Sequence, residues 1–456
     1  MARETEQNEQ RTKLRTARAL IAAAACGAAF GGALPAQAES AFGCFGLMTS
    51  DLLPSVEGVE GQFFRLAPDL HMDHRFSERS IAQIAALSQG LAQRGTELVV
   101  LPMPTKGLAL PEALPPSAAL AGYQPDLAAT LYDSDLLKFA AANVAAADAR
   151  GALRAARLAG AETFFGADHR MTPAGARAVA DAVGVQIKAS PRYETLQTRR
   201  FQTGVGAREG MPSLMAQRLQ QHCALELPAI EAALHQTASA SPNTPAPGAS
   251  LFDGAAGQGT IALVGTEMTG ARLSNFAGFL AEATALPVAQ YTVFDGGPFA
   301  AISSYLTSAA FAAARPSVLV WEIPVWEDLA RHGDQPVAEL VAAAGAECQT
   351  PLRTVAGLAP HSIEATLAGI DLGRAQSLLI DTGGADARSA RVSFARADGT
   401  TLIQSIYRHP GQRPTSRFFL PVADVLATGV TRVSVALDVP MGASARLAVC
   451  SDEGES

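Results

Sequence analysis

Between Ser80 and Arg94 apolar residues recur every three or four positions, with Ile81, Ile84, Ala85, Leu87 and Leu91 on one side. That spacing predicts an amphipathic helix. Glu97-Leu-Val-Val-Leu-Pro-Met-Pro104 follows directly, a short continuous apolar run of the kind buried on both faces of a parallel sheet. Gly259-Thr-Ile-Ala-Leu-Val-Gly265 and Ser317-Val-Leu-Val-Trp-Glu322 repeat the pattern. Helices are expected over Leu136 to Ala147, Ala152 to Leu158 and Asn275 to Thr284, and from Pro173 to Val183, where proline fits the first turn. Strands alternating with helices predict an α/β fold with a parallel sheet flanked by helices.

Residues 236–257 interrupt this alternation with Gln-Thr-Ala-Ser-Ala-Ser-Pro-Asn-Thr-Pro-Ala-Pro-Gly, which reads as a surface loop too polar and proline-rich to pack. Beyond Cys348 the texture changes. Ser377 to Asp381, Ala390 to Phe394, Arg417 to Leu420 and Arg432 to Leu437 are short alternating segments between Gly, Asp and Pro clusters. They predict a small all-β sandwich over 348–456, after an α/β domain over 39–347.

The first 38 residues are expected to be a signal peptide. Arg11, Lys13, Arg15 and Arg18 precede an apolar run from Ala19 to Phe30, and Ala36-Gln37-Ala38 offers the small residues of a cleavage site. A retained anchor is the alternative. Removing that leader moves the net charge from −8 to −10, which argues against nucleic acid as a partner. Cys44, Cys223, Cys348 and Cys450 remain after it, with no CxxC pair. In an exported chain they read as two disulfides, with three connectivities open. If each domain closes its own bridge, Cys44 pairs with Cys223 and Cys348 with Cys450.

Several strings resemble the alginate O-acetyltransferase AlgX/AlgJ family, AlgX above all. Pro102-Met-Pro-Thr-Lys-Gly107 is similar to that family's Pro-x-Pro-Thr-Lys-Gly segment. Asn275 to Leu280 and Val320-Trp-Glu-Ile-Pro324 are similar to its helix after the nucleophile turn and a later strand. The likeness covers nearly the whole chain after the leader. It implies an SGNH-hydrolase-like domain followed by a carbohydrate-binding module, in a periplasmic protein of exopolysaccharide O-acetylation and export. The implied chemistry is acetyl transfer to sugar hydroxyls by a serine activated through histidine and aspartate.

Two catalytic positions depart from the family pattern. Asp168-His169-Arg170-Met171-Thr172-Pro173 stands against Asp-x-His-Trp-Thr-Pro: Asp168 is retained, Arg170 falls in the histidine register, and His169 lies one residue early. Arginine stays protonated and cannot serve as a base. In Val264-Gly265-Thr266-Glu267-Met268-Thr269, Glu267 takes the serine position. If the family geometry holds, Glu267 and Arg170 face each other as a charge-assisted pair that fills the pocket. The chain then becomes a pseudoenzyme candidate, a non-catalytic polysaccharide-binding scaffold, unless Asp168 and His169 sustain transfer.

Further candidates for substrate contact are Lys106 in its Pro-Thr-Lys-Gly turn, Thr266, and Glu322 at a strand's carboxyl end, where ligands gather in parallel sheets. Tyr407, Arg408 and Arg417 flank a Pro-Gly turn and suit an acidic polysaccharide. Trp321 and Trp326 read as core. The histidines are scattered without metal-ligand spacing, and no Gly-rich nucleotide fingerprint follows a strand, so no metal or cofactor is implied. The expected partners are an acidic polysaccharide and membrane acetyl-transfer and export proteins, with the chain a monomer within their complex.

Overall fold

The computed structural model describes residues 40–72, 76–240, 244–345, 347–367, 375–422, 425 and 429–451. The leader expected over 1–38 lies outside them. Six parallel strands build the central sheet: β1 (Glu97–Met103), β2 (Ala145–Ala146), β3 (Ala249–Ser250), β4 (Ile261–Gly265), β5 (Val288–Thr292) and β6 (Val318–Pro324), in the order β2-β1-β6-β4-β5-β3. Val318 pairs with both Glu97 and Ile261, so β6 lies between the two other long apolar runs. Every residue of β4 and β6 is buried, which explains why their sequences do not alternate.

The helix Glu78–Gln93 starts where Ser77 accepts a hydrogen bond from the Ser80 N–H and Glu78 meets the positive end of the helix dipole. It buries Ile81, Ile84, Leu87 and Leu91. The helix expected over Leu136 to Ala147 instead runs from Pro125 to Ala141. Asn143, left-handed at φ 55°, turns the chain so that Ala145–Ala146 joins the sheet as β2. An αL asparagine is a common helix stop.

The expected surface loop at 236–257 is also corrected. Its first residues complete the strand Glu231–Ser239, which pairs antiparallel with Phe201–Gly210 as a two-stranded ribbon. Ala249–Ser250 extends the parallel sheet, and Leu251 is fully buried. A ribbon solvated on one side tolerates the polar residues that made this stretch read as a loop.

Two antiparallel sheets of four and five strands form the C-terminal sandwich. Val392, Phe394, Val433, Val435, Ile380 and Leu447 are its fully buried centre. Of the three possible connectivities the chain carries Cys44–Cys223 and Cys348–Cys450. The second ties the strand Glu347–Pro351 to the last strand, Arg446–Ser451. Closing a loop of that size removes roughly 4–5 kcal/mol of unfolded-chain entropy in the loop-closure model. Disulfides of this kind fit an extracytoplasmic protein. Among the described residues no helix is long and apolar enough to cross a membrane.

Candidate active site

At the carboxyl end of β4 the chain runs Gly265-Thr266-Glu267. A Cβ on Gly265 would sit 2.3 Å from Glu322 Oε2, so the strand approaches that carboxylate only with glycine there. Glu322, fully buried at the end of β6, accepts from the Thr266 N–H at 2.6 Å, the Thr266 hydroxyl at 3.0 Å and the Thr269 hydroxyl at 3.1 Å. Burial pushes its carboxyl up to about 7 against these donors, and the nearby Glu267 charge adds to the rise. Glu322 and Thr266, expected to touch substrate, are therefore beneath the site rather than on its rim. The hydroxyls of Thr266 and Thr269 point into the fold and are not free to attack anything.

The second loop is a tight turn closed by a bridge between Phe164 and Met171, with the Phe165 N–H donating to the Arg170 carbonyl at 3.2 Å. Thr172 caps the helix Pro173–Ala189 that follows. Lys106, also expected to meet substrate, lies under this turn at 1% exposure. Its ammonium donates to the carbonyls of Phe165 (2.7 Å), Gly166 (2.7 Å) and Asp168 (3.0 Å). A sugar cannot reach it.

The expected Glu267–Arg170 pair does not form. Arg170 forks back onto Asp168, with Nε donating to Oδ1 at 2.8 Å and Nη2 to Oδ2 at 2.7 Å, and Nη2 also donates to the Pro212 carbonyl. Burial opposes ionisation of Asp168, but the bonds from Arg170 prevail and hold its carboxyl well below the usual carboxylate range. Neighbouring side chains diverge in so tight a turn. His169 therefore leaves Arg170 behind and points to Glu267: Nε2 lies 3.4 Å from Glu267 Oε1, and Nδ1 lies 3.6 Å from Asp168 Oδ1. The histidine that stood one residue early in sequence thus occupies the place beside the Gly265-Thr266-Glu267 turn, and Arg170 does not.

Glu267 is further held by the Asp295 N–H, which donates to Oε2 at 3.3 Å. Burial again opposes ionisation, but the His169 contact and these donors keep its carboxyl below the ordinary glutamate value. Asp295 adopts a left-handed φ of 53°, a conformation that aspartate tolerates better than most residues. The resulting Asp168–His169–Glu267 row can orient an imidazole between two carboxylates. An acetyl group taken by Glu267 would give a mixed anhydride, far more labile than a serine ester.

This row lines a cleft of about 400 Å³ whose wall also includes Arg65, Arg218, Phe294 and Asp295. None of these four was anticipated from the sequence. Arg65 is locked to the fully buried Asp69, with Nη2 2.9 Å from Oδ1, and lies over the Trp326 ring. Phe294-Asp295-Gly296-Gly297 lies one residue beyond β5, and a turn after an apolar run was the available signal. Arg65 and Arg218 carry no local motif.

The C-terminal candidates do not join this cleft. Arg408, only 8% exposed in its side chain, pairs with the buried Glu339 of the helix Gln335–Gly345 and lies over the Phe418 ring. Its guanidinium is committed to Glu339 as a clamp between sandwich and α/β layers. The Arg417 carbonyl accepts from Arg408, while Tyr407 is 74% exposed. Trp321 is fully buried, as expected of core.

Residues 56–325 match the family model described as SGNH hydrolase-like domain, acetyltransferase AlgX, which is more than half of the chain. The chain belongs to that family. It is 30% identical over 279 residues to the alginate biosynthesis protein AlgX of Pseudomonas aeruginosa, covering 60% of this chain and 56% of that protein. It is 28% identical over 280 residues to the probable alginate O-acetylase AlgJ of the same organism, covering 59% of this chain and 70% of that protein. The chain thus matches about half the length of the AlgX relative in sequence. In fold it superposes on the solved structure of Pseudomonas aeruginosa AlgX with a TM-score of 0.69 at 21% identity, covering 88% of this chain and 95% of that one.

Proposed function

We propose that this chain is an exported, periplasmic component of exopolysaccharide O-acetylation and export. In this reading it binds an acidic, alginate-type polymer without forming a serine-type acetyl-enzyme. One observation carries the proposal: the nucleophile turn presents the Glu267 carboxylate to His169, while the adjacent Thr266 and Thr269 hydroxyls donate to Glu322. No hydroxyl of that turn stands where the imidazole can activate it. The family membership supports the polysaccharide context, the disulfides support export, and the exposed Tyr407 supports a second polymer contact on the sandwich.

A second reading is favoured by the survival of the Asp168–His169 couple. His169 Nε2 takes the proton of a sugar hydroxyl, that oxygen attacks the acetyl carbonyl of a donor ester, and the proton passes on to the leaving group. Glu267 then has no covalent role. Hydrolysis of a chromogenic acetate ester separates the two. The scaffold reading expects wild type and Asp168→Ala to stay at background while the protein retains acidic oligosaccharides. Acetyl release that depends on Asp168 overturns it.

A further inference from the structure

Lys106 is held in an unusual way for a buried lysine. Its nearest acceptors are not carboxylates but three main-chain carbonyls in one turn, those of Phe165, Gly166 and Asp168. An ammonium has three N–H groups and no acceptor, so the three carbonyls use its whole donor capacity. A left-over donor or carbonyl at this depth would cost free energy. The segment it grips ends one residue before His169, whose Nε2 lies 3.4 Å from Glu267 on another loop and whose Nδ1 lies 3.6 Å from Asp168 on its own turn.

We infer that Lys106 is a positioning residue, a main-chain clamp that sets the His169 imidazole between Asp168 and Glu267. The inference rests on reading this cleft as the functional site. It holds equally for a binding cleft and for a proton-transferring one.

The surroundings make the clamp sensitive to its own proton. The charged groups facing Nζ are Asp69 and Asp168, which favour the ammonium, and Arg65, which opposes it; the Phe64 ring lies 5.5 Å away. Burial outweighs the two carboxylates and brings the amine down to about 7. A neutral amine offers two donors to three carbonyls and turns a lone pair toward one of them. The turn then loses a tie, and Asp168 is freer to leave Nδ1.

Histidine-selective NMR of the exported full chain tests this without polymer or ester, so its outcome is independent of the functional proposal. His169 is assigned from the signal missing in His169→Gln, and His361, in the sandwich, serves as the unmoved control. Lys106→Met keeps the apolar stem and removes the donors. The clamp predicts that His169 loses about tenfold in proton affinity, one pH unit, while His361 does not move. In wild type, the Lys106 ε-carbon and the His169 ring show an inflection at a common pH. A folded Lys106→Met with His169 unmoved overturns the inference. If that variant does not fold, Lys106→Gln, which keeps a side-chain N–H donor for the turn, decides: a folded Lys106→Gln with His169 unmoved is equally fatal.

Discussion

His169 Nε2 faces Glu267 Oε1 across 3.4 Å, while Nδ1 faces Asp168 at 3.6 Å. One imidazole thus stands between two carboxylates that the chain keeps ionised by different means. Asp168 is held by the Arg170 fork, and Glu267 by its His169 contact and the Asp295 main chain. On the proposed reading, the imidazole meets a carboxylate where a serine-type site would present a hydroxyl.

Placing a hydroxyl there is the most direct probe. Glu267→Ser is expected to release acetate from a chromogenic ester on the order of 10²-fold above wild type, the lower end of what a positioned base contributes. The double variant Glu267→Ser/His169→Gln should fall back to background. An inert Glu267→Ser with normal folding would mean that the row is not aligned for proton transfer.

Glu322 makes stability depend on pH in a predictable direction. Its folded carboxyl, at about 7, binds a proton more tightly than an unfolded glutamate near 4.5. Its contribution is therefore complete below about 4.5 and is lost as pH rises through about 7, with a magnitude on the order of 3 kcal/mol. Glu322→Gln keeps an acceptor for the Thr266 N–H but cannot titrate. Urea unfolding across pH 4 to 8 should show the wild-type minus variant difference shrinking over that window.

How much of this was legible beforehand follows from which interactions are local. The three apolar runs of β1, β4 and β6 are recognisable because strands buried on both faces need no alternation. The sandwich strands are recognisable because one face alternates with solvent. Arg170 was misplaced because register fixes position along the chain but not side-chain direction, and in a tight turn adjacent side chains part company. Lys106 was expected at the substrate because the carbonyls that bury it lie some sixty residues later. Arg65 and Arg218 enter the cleft through tertiary packing alone, so no nearby residue announces them.

Arg218 carries the prediction about polymer binding. Its Nη1 donates to the Leu52 carbonyl at 3.3 Å, and among the described residues no carboxylate pairs with it. Arg65 and Arg170, by contrast, are each committed to an aspartate. Arg218 is therefore the cleft guanidinium available for a uronate carboxylate. Arg218→Ala should weaken binding of an acidic oligosaccharide roughly tenfold or more, as expected for a charge-assisted hydrogen bond, with little change in melting temperature. Calorimetry at two salt concentrations checks it, and an unchanged affinity would move the polymer elsewhere.

The Arg408–Glu339 pair tests what joins the sandwich to the α/β layers. Glu339 also accepts from the Phe419 N–H at 3.0 Å, so both carboxylate oxygens are used in a site almost closed to water. Removing one partner strands the other as a buried charge. Arg408→Met or Glu339→Leu alone should each cost about 3–5 kcal/mol. The double variant should recover much of that loss, because no lone charge remains, although the Phe419 N–H still lacks an acceptor. A double-mutant cycle on unfolding free energy measures the coupling. Two additive single losses would show that the pair does not act as one unit across the interface.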